Sequence, residues 1–183
     1  MAGKVKDKMV DGAMALLARR GLQATSFSEV LAATGAPRGS LYHHFPGGKD
    51  QLVAAAVDQA GAVLSNALQS VAGQPAAAVV ERFLTIWRAV LTRSQCEAGC
   101  AVLAVTVAAD SEDLLEHARA VLRDWNDLLA DLLVRGGMKE AQAKAFAIML
   151  IASAEGAVVL ARAERSMEPF EAVAQQLMRQ VPS

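Results

Sequence analysis

Residues 26–45 constrain this chain more than any other stretch, because they read as two helices too short to bury a core alone. Ser26-Phe27-Ser28-Glu29 spells a capping box, in which Ser26 accepts the amide three residues on and Glu29 reaches back. The helix it opens, 27–33, stops at Thr34-Gly35. Ala36-Pro37 then restarts helix, since proline is preorganised for the first helical position and lacks only an N–H that would be unpaired there. This next helix, 37–45, ends before Pro46-Gly47-Gly48. A further helix must cover both, and residues 4–20 supply it: Val5, Met9, Ala13, Leu16 and Leu17 share one stripe, with Gly21 as its stop. The expected product is a three-helix helix-turn-helix module.

The rest of the chain repeats the helical period without a strand signal or an internal repeat. One long helix leaves the module over 49–71, and Gly73-Gln74-Pro75 breaks it. In 76–93, Val80, Phe83, Leu84, Trp87 and Leu91 take amphipathic spacing. Residues 94–99 interrupt, 100–109 is apolar nearly all round, and the acidic run from Asp110 to Asp113 opens a helix that Gly136-Gly137 ends. Helices over 139–164 and 169–180 follow. Apolar residues make up 54% of the chain but aromatics only 4%, so alanine, leucine and valine carry the hydrophobicity, which favours helix over sheet. The expected fold is all-α with about nine helices: the helix-turn-helix module, 1–48, and a larger helical domain, 49–183.

Charge is unevenly placed. Residues 1–50 hold seven Lys/Arg against four Asp/Glu, whereas the remainder is acidic, so the basic end suits a polyanion. Two cysteines make no disulfide framework, and with no apolar leader a reducing, cytoplasmic setting is expected. Residues 145–161 are apolar enough to raise a membrane span, but they fall short of the roughly 20 residues a span needs, and they contain Glu155. Adjacent His43 and His44 project about 100° apart on a helix, leaving only His117 elsewhere, so no metal or other cofactor is expected. With no nucleophile elbow, phosphate loop or carboxylate pair, neither is an enzyme.

The ordered run from Thr34 through Gly35-Ala36-Pro37-Arg38-Gly39-Ser40-Leu41-Tyr42-His43-His44-Phe45, with Lys49 and Leu52 after it, resembles the DNA-binding signature of the TetR family of regulators. The proline-glycine-glycine tail and Ala98-Gly99-Cys100 resemble its LmrA/YxaF-like branch. Ala36-Pro37-Arg38 stands where many members carry valine-serine, a departure that bears on base preference. The resemblance implies a homodimer that reads a near-palindromic double-stranded operator, with repression relieved by a small organic effector. A recognition helix meets base edges with its N-terminal residues, which makes Arg38 the expected guanine contact and Gly39 the point of close approach. Ser40, Tyr42 and His43 are expected at bases or phosphates, and Thr25, Ser26, His44 and Lys49 at phosphates.

The acidic portion must supply input and dimer interface. The helix over 139–164 is apolar on nearly every face, and its small residues Ala152, Ser153, Gly156 and Ala157 are the expected dimer contacts. The resemblance implies that the last two helices form a four-helix bundle across the two-fold axis. Effector-lining candidates are Phe83, Trp87, Cys100, Leu103, Trp125, Met149 and Glu155; apolar walls with one acid point to a lipophilic or cationic molecule. Two alternatives stand beside this reading: a redox-sensing regulator using Cys96 and Cys100, and a helical interaction module without DNA binding.

Overall fold

The computed structural model describes residues 2–181, which form nine α-helices and, among the described residues, no strand. The helices are α1 (Ala2–Arg20), α2 (Phe27–Thr34), α3 (Arg38–His44), α4 (Gly48–Gln69), α5 (Ala76–Ser94), α6 (Ala101–Thr106), α7 (Glu112–Arg135), α8 (Glu140–Glu164) and α9 (Glu168–Arg179). Packing divides the chain into two compact units. The first takes the chain up to Ala62 together with Cys100–Leu122, and the second takes Val63–Gly99 together with the chain from Arg123 on. Helices α4 and α7 each contribute to both. The first unit therefore extends past residues 1–48, recruiting the start of α4, all of α6 and the start of α7.

Local chemistry accounts for the boundaries in the first unit. The Glu29 amide donates to Ser26 Oγ at 3.2 Å, the expected cap of α2. The reciprocal half of the capping box does not form, because the Glu29 carboxylate turns outward and accepts from Arg20 at 2.8 Å. Gly35 closes α2 at φ 65°, a left-handed backbone that costs glycine nothing and a side chain with Cβ much more. Met9, Ala13 and Leu17 of α1, Val30 of α2 and Leu41 of α3 are buried together with Phe45, and Lys6 caps the Phe45 ring face at 5.9 Å. Gly12 lets α1 lie against α2: a Cβ there would overlap the Thr34 Cγ2 methyl. Gly12→Ala is therefore expected to cost about 1–3 kcal/mol of stability. Thr34→Ser removes the obstructing methyl while keeping the hydroxyl that donates to the Val30 carbonyl. Urea denaturation of both single variants and the double should show partial rescue; additive losses would mean the overlap is relieved elsewhere.

In the second unit, α8 packs on α5 and α9, and α5 also packs on α9. The buried α5 stripe is the expected one, with Val80, Phe83, Leu84, Trp87 and Leu91 all enclosed. Arg88 reaches from α5 to α9, donating from Nε and Nη2 to the two Glu171 oxygens at 2.6 and 3.0 Å, with its guanidinium over Phe170. This bidentate bond raises the Arg88 pKa above its ordinary value. The start of α5 is tied to the end of α7 by the Ala76 amide donating to the Gly136 carbonyl at 3.1 Å. Helix α8 has the length and composition of a membrane span, and half of its most apolar window is buried inside the protein.

Candidate nucleic-acid interface and C-terminal core

Helix α3 has one buried edge and one outward face. Leu41 is fully enclosed, whereas Arg38, Gly39, Tyr42 and His43 are exposed at i, i+1, i+4 and i+5. Arg38 is the first helical residue, with Pro37 as the cap in front of it. Nothing lies within 4 Å of where a Gly39 Cβ would sit, so its missing side chain leaves the backbone open to approach. Tyr42 is 69% exposed, unusual for a tyrosine, and is braced by an edge-to-face contact with Phe27 at 5.8 Å. Between α2 and α3 lies a groove of about 500 Å³ lined by Ser26, Phe27, Ser28, Leu31, Arg38, Leu41 and Tyr42. The groove sets an exposed cation, a phenol and serine hydroxyls around an apolar floor.

The residues expected at phosphates divide. Ser26 and His44 are half-buried at helix ends, and Ser26 Oγ lies 2.8 Å from Ser28 Oγ. Ser40 is half-buried, its hydroxyl donating to the Pro37 carbonyl at 2.6 Å in an exposed local bond. Thr25 takes a structural position instead: it is 1% exposed and donates to the Gly21 carbonyl at 2.9 Å, so burial keeps its side chain from a phosphate. Lys49 Nζ donates to the Leu22 carbonyl at 3.0 Å, joining the start of α4 to the end of the α1 turn. An ammonium has three donors, so this bond leaves capacity for a phosphate while fixing where the charge sits. The rings of His43 and His44 meet edge-to-face at 5.0 Å, and among the described residues no cluster of three metal-ligating side chains gathers.

The candidate effector residues do not fall in one unit. Phe83, Trp87, Trp125, Met149 and Glu155 belong to the second, whereas Cys100 and Leu103 belong to the first. Phe83, Trp87 and Trp125 are buried, Phe83 and Trp87 meeting edge-on at 6.5 Å, and Met149 is half-buried. Glu155 is a buried carboxylate, 7% exposed, on α8. Cys100 caps α6, its sulfur accepting the Leu103 amide at 3.3 Å. Cys96 is buried in the second unit against Met167, with 3.8 Å between sulfurs, and neither cysteine is in a disulfide.

On α8 the four small residues expected at a dimer contact separate by face. Ala152 and Gly156 are exposed and Ser153 is half-buried, but Ala157, at 2% exposure, lies in its own protomer's core. The exposed pair continues into Ile148, Val159 and Leu160, exposed by 60, 51 and 51%. These large residues escaped sequence reasoning, although their spacing of three or four from Ala152 and Gly156 carried the signal.

Fold and site together define a helix-turn-helix transcriptional regulator. Residues 9–56 match the model of bacterial regulatory proteins of the tetR family, and residues 75–176 match that of the LmrA/YxaF-like transcriptional regulator C-terminal domain. The chain is similar to the HTH-type transcriptional regulator Rv0196 of Mycobacterium tuberculosis, 35% identical over 179 residues covering 94% of this chain and 91% of the relative. It is also similar to the HTH-type transcriptional regulator LmrA of Bacillus subtilis, 26% identical with 92% of each chain covered. Among solved structures, a TetR-family transcriptional regulator from Agrobacterium tumefaciens has the same fold, with TM-score 0.86, 22% identity and full coverage of both chains. The regulatory protein TetR from Rhodobacter sphaeroides superposes with TM-score 0.86 at 20% identity, covering 96% of this chain and 98% of that one. The chain belongs to the tetR family of bacterial regulatory proteins, in its LmrA/YxaF-like branch.

Proposed function

We propose that the protein is a cytoplasmic repressor that binds a near-palindromic operator as a homodimer and is released by a small organic effector. The exposed face of α3 carries this reading: Arg38, Tyr42 and His43 point away from a core that fixes their helix from behind. Arg38 reads a base edge, and Ser26, His44 and Lys49 set register on the backbone. The functional division runs at 48/49, with DNA recognition before it and effector binding and dimerisation after it. A second copy of the chain covers the α8 stripe of Ile148, Ala152, Gly156, Val159 and Leu160, because five exposed apolar or small residues on one helix face are costly to leave in water.

Effector control runs through α4, which begins in the unit that holds α3 and ends in the other. The effector is lipophilic or cationic, since the second unit encloses two tryptophans, Phe83 and one carboxylate. It must favour the DNA-incompetent state by about 1–3 kcal/mol, and operator DNA must weaken effector affinity by the same factor.

Footprinting the protein on DNA flanking its own gene tests the central reading. Two protected half-sites are expected on one face of the duplex, with centres about 34–36 Å apart. Uniform protection without half-site symmetry would favour a non-specific basic module instead.

A further inference from the structure

Tyr42 is the sole tyrosine of the chain, and at 69% exposure its ring gains little from burial. One side of that ring is nevertheless in contact: Phe27 meets it edge-to-face, with centroids 5.8 Å apart and planes at 89°, one of the geometries that aromatic pairs prefer. Phe27 is the first residue of α2, three and seven positions before Val30 and Thr34, the buried residues of that helix. It therefore extends the inner face of α2 to the point where the core runs out, and it stays half-buried. Its backbone is anchored, because Ser26 Oγ accepts the Glu29 amide and the Glu29 carboxylate is tied to Arg20. Leu41 and Phe45, exposed by 0 and 1%, anchor α3 on either side of Tyr42. With both backbones fixed, the freedom left is that of the tyrosine side chain, and Phe27 stands against it across the α2–α3 groove that both residues line.

We infer that Phe27 is a positioning residue for DNA recognition, one that sets the direction of the Tyr42 side chain before DNA arrives. This rests on the reading of α3 as the recognition helix. An exposed side chain that is ordered only on binding costs affinity, and a contact that orders it beforehand removes part of that cost. Stability alone does not account for the pair, because a tyrosine left 69% in water forgoes most of the burial that would strengthen the fold. Phe27 acts through Tyr42 and needs no DNA contact of its own.

The test is a double-variant cycle on the full chain, read by fluorescence anisotropy on the footprinted operator. Phe27→Leu keeps an apolar side chain on the inner face of α2 but removes the ring, and is expected to weaken operator binding about 3- to 10-fold per half-site. In a Tyr42→Ala background the same change should have no further effect, and Phe27→Tyr, which restores a ring, should recover most of the affinity. A 3-fluorotyrosine label reports on Tyr42 alone in the wild type and in Phe27→Leu, since the chain has no other tyrosine. The Phe27 ring current should displace that ¹⁹F resonance from the position of the free amino acid, and loss of the ring should return it. Equal losses for Phe27→Leu with and without Tyr42 would mean that Phe27 touches DNA or acts through the fold, and would overturn the positioning role. Unchanged operator affinity in Phe27→Leu, or a resonance indifferent to the ring, would overturn it too, leaving the DNA-binding reading in place. If Phe27→Leu folds poorly, the wild-type resonance decides: displaced, it supports a held ring, and at the free amino-acid position it sinks the positioning role. Wild-type protein that binds the operator no better than random DNA would overturn the reading of α3 and the role of Phe27 together.

Discussion

Ile148→Asp combined with Leu160→Asp is expected to yield a folded monomer whose affinity for a two-half-site operator is lower by about 10²–10⁴-fold. Both positions are more than half exposed in the protomer, so a carboxylate at either is solvated and costs the monomer little. Across an α8 interface the same carboxylates would be buried without partners, a penalty that a hydrophobic contact cannot offset. Operator affinity then falls because the second half-site is no longer engaged intramolecularly. Ala157→Glu makes the contrasting control: at 2% exposure its carboxylate would enter the protomer's own core and unfold it. Sedimentation equilibrium separates the two cases, with circular dichroism to verify folding and fluorescence anisotropy to follow DNA. An intact dimer in the double variant would move the interface off this face of α8.

For Arg38→Ala, operator binding is expected to weaken by about 1–3 kcal/mol, with preference relaxed at one base pair per half-site. Arg38 opens α3, is exposed, and carries a planar guanidinium whose two parallel donors fit the paired acceptors of guanine in the major groove. Titrations on the operator, on single-base variants and on random DNA separate base reading from charge. Lys49→Ala should behave differently, since Lys49 also ties α4 to the Leu22 carbonyl. It is expected to weaken all sequences alike and to reduce the salt slope by about one. Equal losses on operator and random DNA for Arg38→Ala would remove Arg38 from base recognition.

The helix-turn-helix was readable because its signals are local. Ser26 caps an amide three residues away, and Gly35 needs only its own backbone freedom to close α2. The α5 stripe was readable for the same reason, since one face of a helix is written at intervals of three and four. Where two local partners compete, sequence spacing alone misleads: Glu29 has the position to complete a capping box, yet Arg20 on a neighbouring helix takes its carboxylate.

Sequence by itself determined that the chain is helical, where the helices break, and which short helix presents Arg38, Tyr42 and His43. Only the tertiary structure decided which faces of those helices are used up. Gly156 and Ala157 are neighbours of similar size, but one residue turns a helix by about 100°, and the packing of α5 and α9 on α8 leaves Gly156 exposed and encloses Ala157. Thr25 likewise reads as a polar residue at a helix start, and its loss to the interior depends on where the chain folds back over it. Periodicity fixes a side chain's direction relative to its own helix axis, and burial is a property of distant segments that no window of neighbouring residues contains.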